Sequence, residues 1–182
     1  MSNNMDLGYE MFCYQCEQTA GGKGCTKQGV CGKTAEVANL QDLLLYQLKG
    51  ISVYAKALMD AGENPEPRVV RFVENCLFTT LTNVNFDAAV HVDLLKQSQK
   101  IKEELRGRAK KARLAEPKAV QAAFNLPETK SEMLRVAAVA GIMYEQDLDP
   151  DVRSLCMTIL YGLKGISAYG HQARELGYAS AQ

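Results

Sequence analysis

The nonapeptide "YQLKGISVY" at residues 46–54 returns as "YGLKGISAY" at 161–169, with seven of nine positions identical. The first copy lies inside a run where Val37, Leu40, Leu44, Leu48, Ile51, Ala55 and Leu58 step by threes and fours. That step puts one apolar stripe on a helix of roughly residues 35–60. The register of the repeat holds outward, with Leu40, Leu44 and Leu58 matching Leu155, Ile159 and Ala173, and Gly62 matching Gly177. Two helices therefore carry the same face. Two readings follow. In one, they are similar core helices side by side in a bundle, where Gly50 and Gly165 allow close backbone approach. In the other, Lys49 and Lys164 line a site.

The remaining segments also read as helices. Gly62 and the following "ENPEP" end the first one. Pro67 is a favourable first-turn residue for a second, with Val69, Val73, Cys76 and Thr80 on one face. A third runs from about Phe86 through Val90, Leu94, Ile101 and Leu105 into "RGRAKKAR". Residues 114–130 hold two prolines and read as a connector. Ser131 can cap a short helix through "EMLRVAAVAGIMYE". Asp149 and Pro150 form a cap and first-turn pair for a last helix ending near Gly177. No β alternation of useful length occurs, so the fold class is all-α.

Composition bounds the function. The chain has 182 residues, 47% hydrophobic and 23% charged, with 21 basic and 21 acidic side chains. It fits one ordinary domain, and its neutral balance argues against nucleic acid or a membrane surface as a general partner. No apolar run is long enough to span a bilayer. The start, "MSNNMDLGYE", has neither a basic nor an apolar signal region. Residues 1–10 read as an extension ahead of Met11, residues 11–34 as a cysteine-rich segment, and 35–182 as a helical bundle forming one domain with it. Without export, a cytoplasmic, reducing location is expected, and disulfides are disfavoured there.

Four of the six cysteines, Cys13, Cys16, Cys25 and Cys31, fall in "MFCYQCEQTAGGKGCTKQGVCGK", residues 11–33. In such a chain, clustered thiols read first as metal ligands. The spacing is C-x2-C-x8-C-x5-C. Cys13 and Cys16 can bind one centre from a single turn, while Gly21, Gly22 and Gly24 let the loop fold back with Cys25 and Cys31. Structural zinc commonly uses two short knuckles, and only the first pair has that form. An iron–sulfur cluster is wider and takes more dispersed ligands, yet the spacing matches neither the bacterial nor the plant ferredoxin run. Spacing alone leaves both centres open.

The stretch "FCYQCEQTAGGKGCTKQGVCGKTAEVANLQDLLLYQLKGIS" closely resembles the start of the hybrid-cluster proteins, also called prismane proteins or hydroxylamine reductases. The likeness continues through "LFTTLTNVNFDAA" at 77–89 and "DVRSLCMTILYGLKGISAYGHQARELGY" at 151–178. The resemblance implies that Cys13, Cys16, Cys25 and Cys31 hold a cubane [4Fe–4S] cluster, the longer spacings of other members going with a [2Fe–2S] cluster. It also implies a helical domain built from a pair of three-helix bundles of spectrin-repeat type.

Hybrid-cluster proteins continue into two further α/β domains, which hold the mixed cluster where hydroxylamine or nitric oxide is reduced. This chain stops at Gln182. The resemblance therefore implies an electron-transfer domain of an oxidoreductase with no turnover of its own. Its expected partners are a redox donor protein or the remaining hybrid-cluster domains, with self-association left open. The rivals are a structural four-cysteine zinc module for partner binding and an interaction fragment that has lost its cluster. Cys76 and Cys156 read as buried structural cysteines, and His91 and His171 as packing or surface residues. The basic "RGRAKKAR" reads as a solvated last helical turn, with a docking patch for an acidic donor as its rival. The acidic "YEQDLDPD" at 144–151 reads as a polar turn with a helix cap.

Overall fold

A computed structural model describes residues 10–137, 140 and 149–178. Helices dominate these residues: α1 (Ala35–Asp60), α2 (Pro67–Thr79), α3 (Ala88–Lys111), α4 (Val120–Ala123), α5 (Lys130–Ala137) and α6 (Pro150–Glu175). A 3-10 turn, Ala20–Gly22, precedes them. Extended pairing among the described residues is limited to one antiparallel bridge, Cys13 with Cys25. The chain is all-α.

Local chemistry sets the helix ends. Thr34 Oγ1 accepts the Val37 N–H at 3.3 Å and Asp87 Oδ1 accepts that of Ala89 at 2.8 Å, each satisfying a donor the helix itself leaves unpaired. Asp149 Oδ1 does the same for Asp151 at 2.9 Å, with Pro150 in the first turn. The cap of α5 is Thr129, not Ser131. Its hydroxyl accepts the Glu132 N–H at 3.3 Å and donates to the Glu132 carboxylate at 2.7 Å, a T-x-x-E box two residues earlier than expected. The expected continuation of this helix to residue 145 lies mostly outside the described residues, as does most of the acidic 144–151 stretch. The two repeat-bearing helices stop alike. Gly62 (φ +89) donates to Met59 O at 3.0 Å and Glu63 to Leu58 O at 3.0 Å. Gly177 (φ +81) donates to Arg174 O at 2.9 Å and Tyr178 to Ala173 O at 2.8 Å. Both close on a left-handed residue that glycine adopts without strain.

The core gathers around α1. Leu40, Leu44, Leu48, Ile51, Tyr54 and Leu58 are buried against Leu95, Leu105 and Ala109 of α3, Ala122 of α4 and Met133 and Leu134 of α5. Each such leucine removed from water contributes about 1.5–3 kcal/mol. The connector supplies α4, a single turn whose backbone runs against α1: a Cβ on Gly50 would collide with the Gln121 carbonyl oxygen. The expected close approach is therefore real at Gly50. It fails at Gly165, where a Cβ would meet nothing within 4 Å.

Helix α6 leans on α2, through the Arg174–Glu74 ion pair at 2.7 Å and His171 stacked on Phe78 at 4.5 Å. Cys76 is buried, and burial pushes its thiol up to about 12. Cys156, expected inside, is exposed, because the apolar side of α6 that carries it faces outward. In the basic turn, Arg106 pairs with Glu116 at 3.1 Å, and Arg108 with Glu63 at 2.7 Å and Glu66 at 3.1 Å. Two of its three arginines are thus tied to this chain's own carboxylates. Among the described residues no helix is long and apolar enough to cross a membrane.

Candidate metal centre

The cysteine segment folds onto the start of α1 as a small layer of its own. Met11, Cys25 and Ala38 form a separate buried cluster, flanked by Cys13 and Ala35. Cys13 N donates to Cys25 O at 3.0 Å, and Cys25 N to Cys13 O at 2.8 Å, so these two ligand candidates stand opposite one another. Between them the chain reverses through Gly21 (φ +59) and Gly22 (φ +66), conformations that residues with a Cβ rarely adopt. Gly24 serves a different need: a Cβ there would sit 2.5 Å from the Phe12 ring. Thr19 Oγ1 donates to Cys13 O at 2.9 Å and lies 3.6 Å from Cys25 Sγ. A second turn, with Gly29 N on Lys33 O at 2.8 Å and Gly32 N on Gly29 O at 2.8 Å, brings back Cys31.

The environment of Cys25 favours a thiolate. Ala20 N donates to its sulfur at 3.4 Å. Its thiol is held below the usual range, first by that N–H, then by the Val30 backbone and the Thr19 hydroxyl, and last by the charge of Lys33; burial opposes them. All four cysteines are free of disulfides. Among the described residues, however, no three His, Cys, Asp or Glu side chains are grouped closely enough to hold one metal ion.

Two buried lysines flank this layer. Lys33 Nζ donates to Gln41 Oε1 at 2.7 Å and lies 5.9 Å from the Phe86 ring centroid. Gln41 Nε2 in turn donates to Asn85 O at 3.1 Å and to His91 Nε2 at 3.2 Å, leaving His91 Nδ1–H to donate to Asp87 O at 2.7 Å. His91 is thus a neutral, fully bonded core residue, held below its usual pKa chiefly by burial. Lys164 reaches in from α6, where its Nζ donates to Gln15 Oε1 at 2.9 Å and to Thr80 O at 3.3 Å. Burial brings Lys164 down to about 8, opposed chiefly by the attraction of Asp42. Asp42, half-buried between α1 and α6, is raised to about 7 by burial against the pull of Lys164, Lys33 and Lys49.

One turn before Lys164, Tyr161 packs edge-on against Tyr14, with ring centroids 6.0 Å apart. Its hydroxyl is buried, with Tyr14 the polar side chain acting on it and no hydrogen bond of good geometry formed. Burial pushes this phenol well above its usual range, so it stays a donor facing the cysteine layer. Two buried ammonium groups beside free thiols are surroundings that favour a negatively charged, thiolate-bound group. The donor set suits such a group in kind, four thiols free of disulfides, although among the described residues no three of them are gathered at one point.

Of the four cysteines expected from the sequence, the structure sets Cys13 opposite Cys25 and gathers no three at one point among the described residues; Lys164 belonged to one of the two readings of the repeat. Lys49, its counterpart, is exposed. Gln15, Lys33, Gln41 and Tyr161 were missed. A signal existed for Gln41, a polar residue on the apolar stripe of α1, since a buried amide there must have partners.

Residues 11–182 match the family model described as the Prismane/CO dehydrogenase family. The chain belongs to the Prismane/CO dehydrogenase family. Relatives carry the name hydroxylamine reductase. The protein of Syntrophobacter fumaroxidans is 47% identical over 171 residues, which covers 92% of this chain and 31% of that protein. That of Thermoanaerobacter pseudethanolicus is 42% identical over 168 residues, 92% of this chain and 30% of the relative. That of Bacteroides thetaiotaomicron is 42% identical over 178 residues, 94% of this chain and 30% of the relative. The chain thus spans somewhat under a third of the length of these family members.

Proposed function

We propose that Cys13, Cys16, Cys25 and Cys31 hold an iron–sulfur cluster of the [4Fe–4S] type, through which this domain passes single electrons. The observation that carries the reading is the pair of buried lysines beside four free thiols. Among the described residues, the atoms bonded to Lys33 and Lys164 Nζ are amide and carbonyl oxygens, with no carboxylate at ion-pair distance. Buried ammonium groups are costly unless a negative partner offsets them. Asp42 acts on both, but burial raises it to about 7 and so weakens the offset it supplies. When bound, such a cluster supplies a one-electron carrier whose potential the protein sets within about −700 to +450 mV.

The chain's own groups supply the tuning. The Ala20 N–H withdraws density from the Cys25 sulfur, Tyr161 offers a further donor, and the packed Met11–Cys25–Ala38 cluster limits water. The four thiolates saturate such a centre, so the domain binds no substrate at metal and needs a partner for turnover. By likeness to relatives named hydroxylamine reductase, we assign that partner role to further domains of a longer polypeptide, with a separate redox protein as electron donor, in the cytoplasm. The longer protein would reduce hydroxylamine, and this domain alone would not.

Anaerobic purification with iron and sulfide quantitation, followed by electron paramagnetic resonance of the reduced sample, tests the reading. The expected result is about four irons and four sulfides per chain and a signal appearing on reduction. One zinc per chain with neither iron nor sulfide would establish the structural zinc module instead.

A further inference from the structure

We propose that Lys164 is a positioning residue for the cluster loop, fastening Gln15 to α6 and holding a positive charge beside the thiolates that favours the reduced state. This rests on the iron–sulfur reading above and goes beyond it by assigning a residue 149 positions from its loop contact. Gln15 lies between Cys13 and Cys16, so a bond to its side chain fixes the link between two proposed ligands. The second bond of Lys164 Nζ, to Thr80 O just after α2, makes the ammonium a three-way junction of loop, α2 and α6.

The charge matters separately from the bonds. Reduction adds one negative charge to a thiolate-bound centre. An ammonium 1% exposed is screened far less than a surface lysine. As a general scale, at an effective dielectric of about 20 a unit charge on the order of 10 Å from a redox centre changes its ratio of reduced to oxidised form about tenfold. Lys49, which holds the same place in the first copy of the repeat, is exposed and provides the control.

The experiment uses the anaerobically prepared, cluster-loaded chain. Wild type, Lys164→Gln, Lys164→Arg and Lys49→Gln are compared for iron content and midpoint potential. Lys164→Gln is expected to lower the reduced-to-oxidised ratio at fixed ambient potential about tenfold, equivalent to about 59 mV for a one-electron couple. Lys164→Arg and Lys49→Gln are expected to stay near wild type. An iron-loaded Lys164→Gln with the wild-type potential overturns the charge role, as does an equal fall in Lys164→Arg. Gln15→Ala, a change in the loop rather than the helical core, keeps the test decisive should Lys164→Gln not fold. It should lose iron to a chelator several-fold faster than wild type, and an equal rate overturns the fastening role. A wild-type chain without iron would instead defeat the cluster reading itself.

Discussion

The two copies of the repeat carry nearly the same residues and meet opposite surroundings. In α1 the apolar stripe is inside: Leu44 and Ile51 are each 0% exposed, beneath α3, α4 and α5. Their counterparts in α6, Ile159 and Ile166, are 63% and 67% exposed. The lysines are inverted too, Lys49 facing out and Lys164 facing in. The pattern of a helix specifies that one face wants cover, and it leaves open which neighbour supplies it. In α6 the neighbours present, α2 and the cysteine layer, took the polar side. The apolar side, from Val152 through Leu155, Ile159, Leu163 and Ile166 to Tyr169, is a continuous exposed stripe. Stripes of this kind mark contact surfaces.

Leu44→Ala should destabilise the domain by about 2–5 kcal/mol, the usual loss for a truncated core leucine. Ile159→Ala, at the repeat-equivalent position, should change stability by no more than about 0.5 kcal/mol. Anaerobic urea denaturation of both reads the contrast. A costly Ile159→Ala would mean that copies of the chain already cover the stripe.

The buried cation under each helix gives a pH test. On the α1 side it is Lys102 of α3, bonded to Gln47 Oε1 at 2.7 Å and to the Phe124 carbonyl, and lowered by burial to about 8. The unfolded chain, with its lysine near 10.5, binds more protons than the folded one between these values. Stability should therefore rise with pH from about 8 to about 10.5, by up to about 3 kcal/mol from this group. Lys102→Met should remove that part of the rise, and a slope unchanged by the substitution would contradict the assignment.

The glycines sharpen the contrast further, because the sign of the effect differs. Gly50→Ala drives a methyl group into the Gln121 carbonyl and should cost about 1–3 kcal/mol. Gly165→Ala meets open space inside a helix and should stabilise by about 0.5–1 kcal/mol. Thermal melting of the pair decides it, and two changes of the same sign would show that the helices do not differ in backbone approach.

Much of this fold was legible because helix signals are local. Pro67 at α2 and Asp149–Pro150 at α6 lie within a turn of the ends they set; Thr34 at α1 is a signal of the same kind that the sequence reading did not use. The Thr129–Glu132 box was equally local and was simply passed over for Ser131. Burial was less legible. Cys156 looks internal beside Leu155, and its exposure follows only from which side of α6 meets α2. The site divides in the same way. Four cysteines among glycines mark the proposed ligands at once, whereas the inward turn of Lys164 depends on a glutamine near the other end of the chain.

The most direct test of the account replaces Cys25 with serine under strict exclusion of air. Cys25 is the buried cysteine whose sulfur receives the Ala20 N–H. The account predicts that C25S, compared with wild type, loses most of its iron and sulfide and its reduced-state resonance while keeping its helical circular dichroism. A variant with the same iron content and spectrum as wild type would contradict it.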